Sequence, residues 1–269
     1  MWNAIRALGL LACAVTCGVG CTGGGATASA ERPGGAAAAP PRAVVIVSAN
    51  MEWRVVKAVY PDARYEPTPW GETFERTLDV GGRPARVVFF HGGWGKVAAA
   101  GSAQYAIDRW HPAYVINLGT CGGFAGAIEK HAVVLADRTV IYDIKEAMGD
   151  SAEAIADYTV ALDLSWLTGP PPSAVKKTLL VSGDRDLVPA ELGELAARYG
   201  AVAGDWESGA IAYTCARNHQ RVLILRGVTD LVGAGGGEAY GNMAVFAEGT
   251  DVVMRRLLGE LPAWLARCP

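Results

Sequence analysis

Four histidines, no Cys-x-x-Cys pair and no basic run are found in this 269-residue chain, so it shows neither a metal-site spacing nor a nucleic-acid footprint. Its formal charge of −3 points the same way. No apolar stretch reaches the ~17–25 residues of a spanning helix; the N-terminal one, 7–20, covers 14. No Gly-Lys-Ser/Thr closes a phosphate loop, and no Gly-x-Gly-x-x-Gly stands in a dinucleotide-binding context. Charged residues are also sparse, at 19% against 51% hydrophobic, which excludes a disordered chain and leaves enough apolar mass for a sizeable core.

The N-terminus differs from the rest. Arg6 followed by the short apolar stretch reads as an export signal, residues 1–21. Gly18-Val19-Gly20-Cys21 resembles a bacterial lipobox, with Cys21 as the lipidated residue, although Gly18 stands where Leu is usual. Ala28-Ser29-Ala30 offers a rival cleavage site, which would give a secreted soluble protein instead. Residues 22–41 are almost all Gly, Ala, Pro, Ser and Thr, a flexible tether of roughly 25 Å. Once Cys13, Cys17 and Cys21 are set aside, Cys121, Cys215 and Cys268 remain. An odd number without close spacing reads as small buried residues, with one bridge left open.

From residue 42 to 269 the chain reads as a single domain. Short Val/Ile/Leu-rich runs at 43–48, 86–91, 114–119, 132–136, 178–182 and 222–228 predict strands covered on both faces. Helical patterns at 53–60, 96–110, 190–199, 208–218 and 244–261 alternate with them. The alternation predicts an α/β domain with a parallel or mixed central sheet. A hairpin is expected within 67–82 and an irregular excursion over 142–172. Glycine clusters at 91–96 and 119–124 follow strands, where they allow a sharp turn into a helix or a close backbone approach to a ligand.

Two carboxylates stand out by position. Glu207 opens a small-residue helix, and Asp230 closes an apolar strand before a Gly-rich segment. Such residues cap helices, hold a proton or bind a ligand hydroxyl, and spacing alone favours the cap.

Four ordered segments change that balance. They are Val-Val-Ile-Val-Ser-Ala-Asn-Met-Glu (44–52), Gly-Trp-Gly-Lys-Val-Ala-Ala-Ala (93–100), Val-Ile-Asn-Leu-Gly-Thr-Cys-Gly-Gly-Phe (115–124), and the set 181–184, 205–212 and 226–230. Together they resemble the nucleoside phosphorylase/nucleosidase superfamily, most closely its bacterial 5′-methylthioadenosine/S-adenosylhomocysteine nucleosidases. The resemblance implies a three-layer αβα fold with a mixed, partly barrel-like sheet, commonly a homodimer, with no cofactor and no metal. It implies hydrolysis of the N-glycosidic bond of a purine nucleoside, releasing base and sugar. Asp230 would protonate the purine N7, which requires a dry pocket that raises its pKa. Glu207 would bind the ribose hydroxyls, and Trp206 would form an apolar floor beneath the sugar. Thr120, Cys121 and Gly122 would touch base and ribose, with Asp205, Leu187 and Arg226 completing the substrate-binding set.

Where phosphorylases of this superfamily carry an Arg-bearing phosphate loop, this chain has Ser48-Ala49-Asn50-Met51-Glu52. A carboxylate there repels phosphate and suits activation of a water, so Glu52 reads as the base and hydrolysis is favoured. Glu52 also suits a helix first turn on dipole grounds alone. Arg185, Asp186 and Leu187 replace the family's aromatic-aliphatic pair after Val-Ser-Gly-Asp, so base specificity is open. Tyr240 or Phe246 either lids the pocket or belongs to the core. A phosphate-dependent phosphorylase and a non-catalytic nucleoside-binding lipoprotein are the alternatives.

Overall fold

The computed structural model of the chain describes residues 39–269. The expected signal, Cys21 and the tether up to residue 38 lie outside the described residues. In chain order the elements are β1 (Ala43–Val47), α1 (Asn50–Val59), β2 (Glu66–Pro67), β3 (Glu72–Val80), β4 (Arg83–His91), α2 (Gly95–Trp110), β5 (Tyr114–Phe124) and β6 (Val133–Ile141). There follow α3 (Ala152–Asp157), β7 (Thr159–Ala161), β8 (Lys176–Ser182), α4 (Leu192–Tyr199), β9 (Ala203–Asp205), α5 (Ser208–Arg217), β10 (Val222–Gly233), β11 (Gly236–Gly237) and α6 (Met243–Leu265).

The all-apolar run of β1 shows why the sheet sits in the middle. Ala43, Val45 and Val47 face one core with α1 and α6, while Val44 and Ile46 face a second core with α2 and α5. Every residue of the strand is buried, as two-sided coverage requires. β1 pairs in parallel with β4 and β5, which places it in the interior of the sheet. The order is β11-β10-β6-β8-β9-β5-β1-β4-β3-β2, and β10 also pairs with β5. That extra pairing closes β10, β6, β8, β9 and β5 into a five-stranded barrel, with β1, β4, β3 and β2 extending from it. The result is the expected three-layer αβα arrangement with a mixed, partly barrel-like sheet.

Several boundaries differ from the sequence reading. The glycines at 119–123 make no turn: β5 continues to Phe124 because β9 and β10 both pair with that segment. β10 likewise runs to Gly233, so Asp230 lies within a strand, beside a register shift between Val228 and Asp230. This bulge at Thr229 re-aims the chain next to the cavity described below. α6 passes directly over it; a Cβ on Gly249 would lie 2.6 Å from the Thr229 carbonyl oxygen. The expected hairpin within 67–82 is two hairpins, a short one of β2 with β3 and a longer one of β3 with β4. Finally, α6 does not stop before Pro262. Trp264 and Leu265 are almost fully buried in the core, and their packing carries the helix past the missing proline N–H.

Candidate functional site

Loops and strand ends from across the chain converge on a cavity of about 420 Å³. The volume suits a small organic ligand, for which pockets of roughly 300–1,000 Å³ are usual. Glu52, Glu207 and Asp230 all line it, although they come from the starts of α1 and α5 and from the bulged part of β10. Thr120, Cys121, Gly122, Leu187, Asp205 and Trp206 line it too. Of the residues expected at the site, Arg226 alone lies off the cavity wall, fully buried beneath it.

That burial organises the acids. The Arg226 guanidinium lies 2.9 Å from Asp205, 3.7 Å from Glu52 and 3.6 Å from Glu207. It also donates to Ser208 Oγ (2.9 Å) and Asn117 Oδ1 (2.8 Å). Burial works against its charge, but Asp205, Glu52 and Glu207 outweigh that and hold its pKa above the ordinary value. Gly119 makes room for it: a Cβ there would meet Arg226 Nη1 at 2.1 Å and Glu52 Oε1 at 2.8 Å. Arg226, expected as a substrate contact, thus lies behind the cavity wall against the three acids.

Each carboxylate has a distinct environment. Glu52 sits in the first turn of α1 and is 1% exposed. Its Oε2 accepts from the Ala49 amide (3.0 Å), and its Oε1 accepts from the Thr120 amide (2.6 Å) and hydroxyl (2.8 Å). Asp205 is engaged internally, accepting from Ser182 Oγ (2.6 Å), from the Ser208 amide and hydroxyl, and from Arg226. Glu207, at the N-cap of α5, accepts from the Gly95 amide (3.2 Å) at the start of α2. Burial first, then the nearby Asp205 and Glu52 charges, pushes its pKa up to about 8 against the pull of Arg226 and Gly95. Asp230 accepts from the Thr229 hydroxyl (2.7 Å) at the bulge.

The remaining wall is largely aromatic and apolar. Trp94, 59% exposed, leans on Trp206 with ring centroids 6.5 Å apart. Tyr240, Met243 and Phe246 line the side formed by the segment after β11, which places both candidate lid aromatics at the cavity. Cys121 is a buried free thiol on the wall, and burial raises its pKa. Cys215 and Cys268 are also buried and free, so no bridge forms among the described residues.

Sequence reasoning assigned no role to Asn117, Ser182, Ser208 or the Gly95 amide. Asn117 did leave a signal, as a polar residue inside the otherwise apolar 115–118 run. Ser182 and Ser208 left none.

Comparison with known proteins places the chain in a family. A family model described as "Phosphorylase superfamily" matches residues 42–256. The chain is 31% identical over 154 residues to a 5′-methylthioadenosine/S-adenosylhomocysteine nucleosidase of Thermotoga maritima, covering 55% of this chain and 67% of that protein. It is 26% identical over 230 residues to the enzyme of that name from Marinomonas sp., covering 80% of this chain and 96% of the relative. Among solved structures, the Neisseria meningitidis nucleosidase of that name, in complex with methylthio-immucillin-A, superposes with a TM-score of 0.65. That match has 22% identity and covers 83% of this chain and 98% of the other.

Proposed function

The chain belongs to the phosphorylase superfamily, and from that premise we propose that it hydrolyses the N-glycosidic bond of a purine nucleoside, releasing free base and sugar. The named relatives are nucleosidases for 5′-methylthioadenosine and S-adenosylhomocysteine. The observation that carries the reading is the meeting of Glu52, Glu207 and Asp230 at one nucleoside-sized cavity.

In the proposed reaction Asp230 gives a proton to the purine N7. The C1′–N9 bond then breaks with its electron pair passing to the base, leaving cationic charge on the sugar. Glu207, accepting from the sugar hydroxyls, supports that charge. A water attacks C1′ and loses its proton to Glu52, after which proton exchange restores both acids. No cofactor takes part in this sequence.

Hydrolysis is favoured over phosphorolysis by the Glu52 contacts. Its own carboxylate occupies the Ala49 amide at the N-terminus of α1 and the Thr120 amide, positions an incoming phosphate would need. A phosphate there would face a buried negative charge, a repulsion of roughly 4 kcal/mol at 4 Å for an effective dielectric near 20. The test is base release from purine nucleosides with and without phosphate. Release in phosphate-free buffer is expected; strict dependence on phosphate would identify a phosphorylase, and no release from any nucleoside would identify a binding protein.

We propose further that the protein is exported as a lipoprotein anchored through Cys21, or else secreted, and that it forms a homodimer. Exposed apolar side chains, Trp94 (59%) and Met243 (66%) at the cavity and Val97 (82%) in the first turn of α2, support the dimer. A monomeric mass in sedimentation at micromolar concentration would refute it.

A further inference from the structure

One segment of the cavity wall carries two adjacent opposite charges. Arg185 and Asp186, in the loop after β8, both line the wall next to Leu187. Arg185 pairs with Glu191 through one nitrogen at 3.3 Å, which leaves most of its five donors free. Asp186 is exposed and takes part in neither ion pair of this loop, which are Arg185–Glu191 and Lys96–Asp184. The Leu187 carbonyl, a backbone acceptor on the same segment, is already engaged by the Tyr240 hydroxyl at 2.7 Å. Tyr240 lines the same cavity as Asp186 and Asp230.

The chemistry follows from the order of groups along one purine edge: N7, then the six-position substituent, then N1. With Asp230 set at N7 by the proposed reaction, the Arg185–Leu187 segment that shares the cavity with it is the part of the wall left to meet the six-position and N1. A guanidinium there donates to an oxygen at the six-position, and a carboxylate accepts from a protonated N1. An adenine presents the reverse pattern, an amino donor facing the guanidinium and an N1 lone pair facing the carboxylate. The backbone acceptor that could serve the amino group already accepts from Tyr240, which leaves it a single lone pair.

We propose that Arg185 and Asp186 make this site selective for 6-oxopurine nucleosides over their 6-amino counterparts. The inference rests on the nucleosidase reading above and narrows its substrate class. A donor–acceptor pair of this kind is worth about 1–3 kcal/mol of base discrimination, roughly 5- to 150-fold. Since Asp186 is solvent-accessible, a preference of about tenfold is expected.

The test compares 5′-methylthioinosine with 5′-methylthioadenosine, which differ only at the six-position and N1. The full chain should cleave the inosine compound with the higher kcat/KM. Asp186→Asn and Arg185→Gln should each shrink that ratio towards unity. Equal or faster cleavage of the adenosine compound overturns the proposal, as does a ratio unmoved by Asp186→Asn. If neither compound is cleaved, the nucleosidase reading fails separately, and the base preference is still read from quenching of tryptophan fluorescence by free hypoxanthine and adenine. Tighter hypoxanthine binding, weakened in Asp186→Asn, supports the proposal; equal or tighter adenine binding refutes it.

Discussion

Replacing Arg226 by Met removes the cation shared by Asp205, Glu52 and Glu207, and the consequence depends on pH in a defined direction. Each of these acids lies 2.9–3.7 Å from the guanidinium, and none is more than 7% exposed. At an effective dielectric near 20, each gross attraction is roughly 4.5–6 kcal/mol, most of it offset by the desolvation of the groups involved. What counts in the variant is the charge left without a partner, typically about 3–5 kcal/mol for one broken buried pair. That is a large share of a domain's stability of roughly 5–15 kcal/mol. The stranded carboxylates escape the penalty by taking up protons, which is easier in acid. Urea unfolding of wild type and Arg226→Met at pH 8 and pH 5 should therefore show a loss of about 3–5 kcal/mol at the higher pH and a distinctly smaller one at the lower. A variant folded only in acid meets the same expectation. A loss under 1 kcal/mol, or one equal at both pH values, would refute the view that Arg226 holds the acids by charge. Arg226→Lys should recover little, because one ammonium cannot reach three carboxylates and also donate to Asn117 and Ser208.

Other expectations can be checked as directly. Asp230→Asn should lose about 10²–10⁴ in turnover while still binding nucleoside, as read by single-turnover rates beside calorimetric titration; unchanged turnover would remove Asp230 from the chemistry. Glu207 is raised in the fold from its ordinary 4.5 to about 8, so its contribution to stability is complete below pH 4.5 and declines as pH rises through about 8. Glu207→Gln should therefore match wild type in acid and exceed it by a few kcal/mol above pH 8; a constant difference across pH in urea titrations would contradict this. For localisation, membrane fractionation should find the wild-type protein with the membrane and Cys21→Ser in the soluble fraction. Wild type found wholly in the cytosol would rule out export.

The architecture was legible where apolar runs were continuous. The stretch 43–47 could be covered on both faces and nothing else, and the structure places it in the middle of the sheet. The ends of β5 and β10 were harder to read, because their Gly-rich tails look like turns until the pairing strands are known. A bulge such as that at Thr229 leaves no local signature either. At the site, each acid alone read as readily as a helix cap, and Glu52 and Glu207 do occupy helix starts. Their convergence is a property of topology, visible in sequence only through the ordered set of motifs. Arg226 shows the limit well. A cation inside the apolar run 222–228 demands a buried partner, and sequence does not tell whether that partner is a ligand or the acids that line its cavity. In the structure it is the acids.

The balance of charge at the cavity gives the site its direction. Among the described residues Arg226 alone faces Asp205, Glu52 and Glu207, so acidic groups outnumber the single buried cation. Glu207 relieves part of the excess by holding a proton up to about pH 8 when the site is empty. In the proposed reaction a neutral nucleoside would gain little from such surroundings, whereas a sugar becoming cationic would gain much, and its charge would draw Glu207 towards the ionised form. Interactions that strengthen only as the bond breaks accelerate the step without tightening the ground state. The same excess repels phosphate, so a single arrangement of charges favours both cleavage and the choice of water as the attacking group.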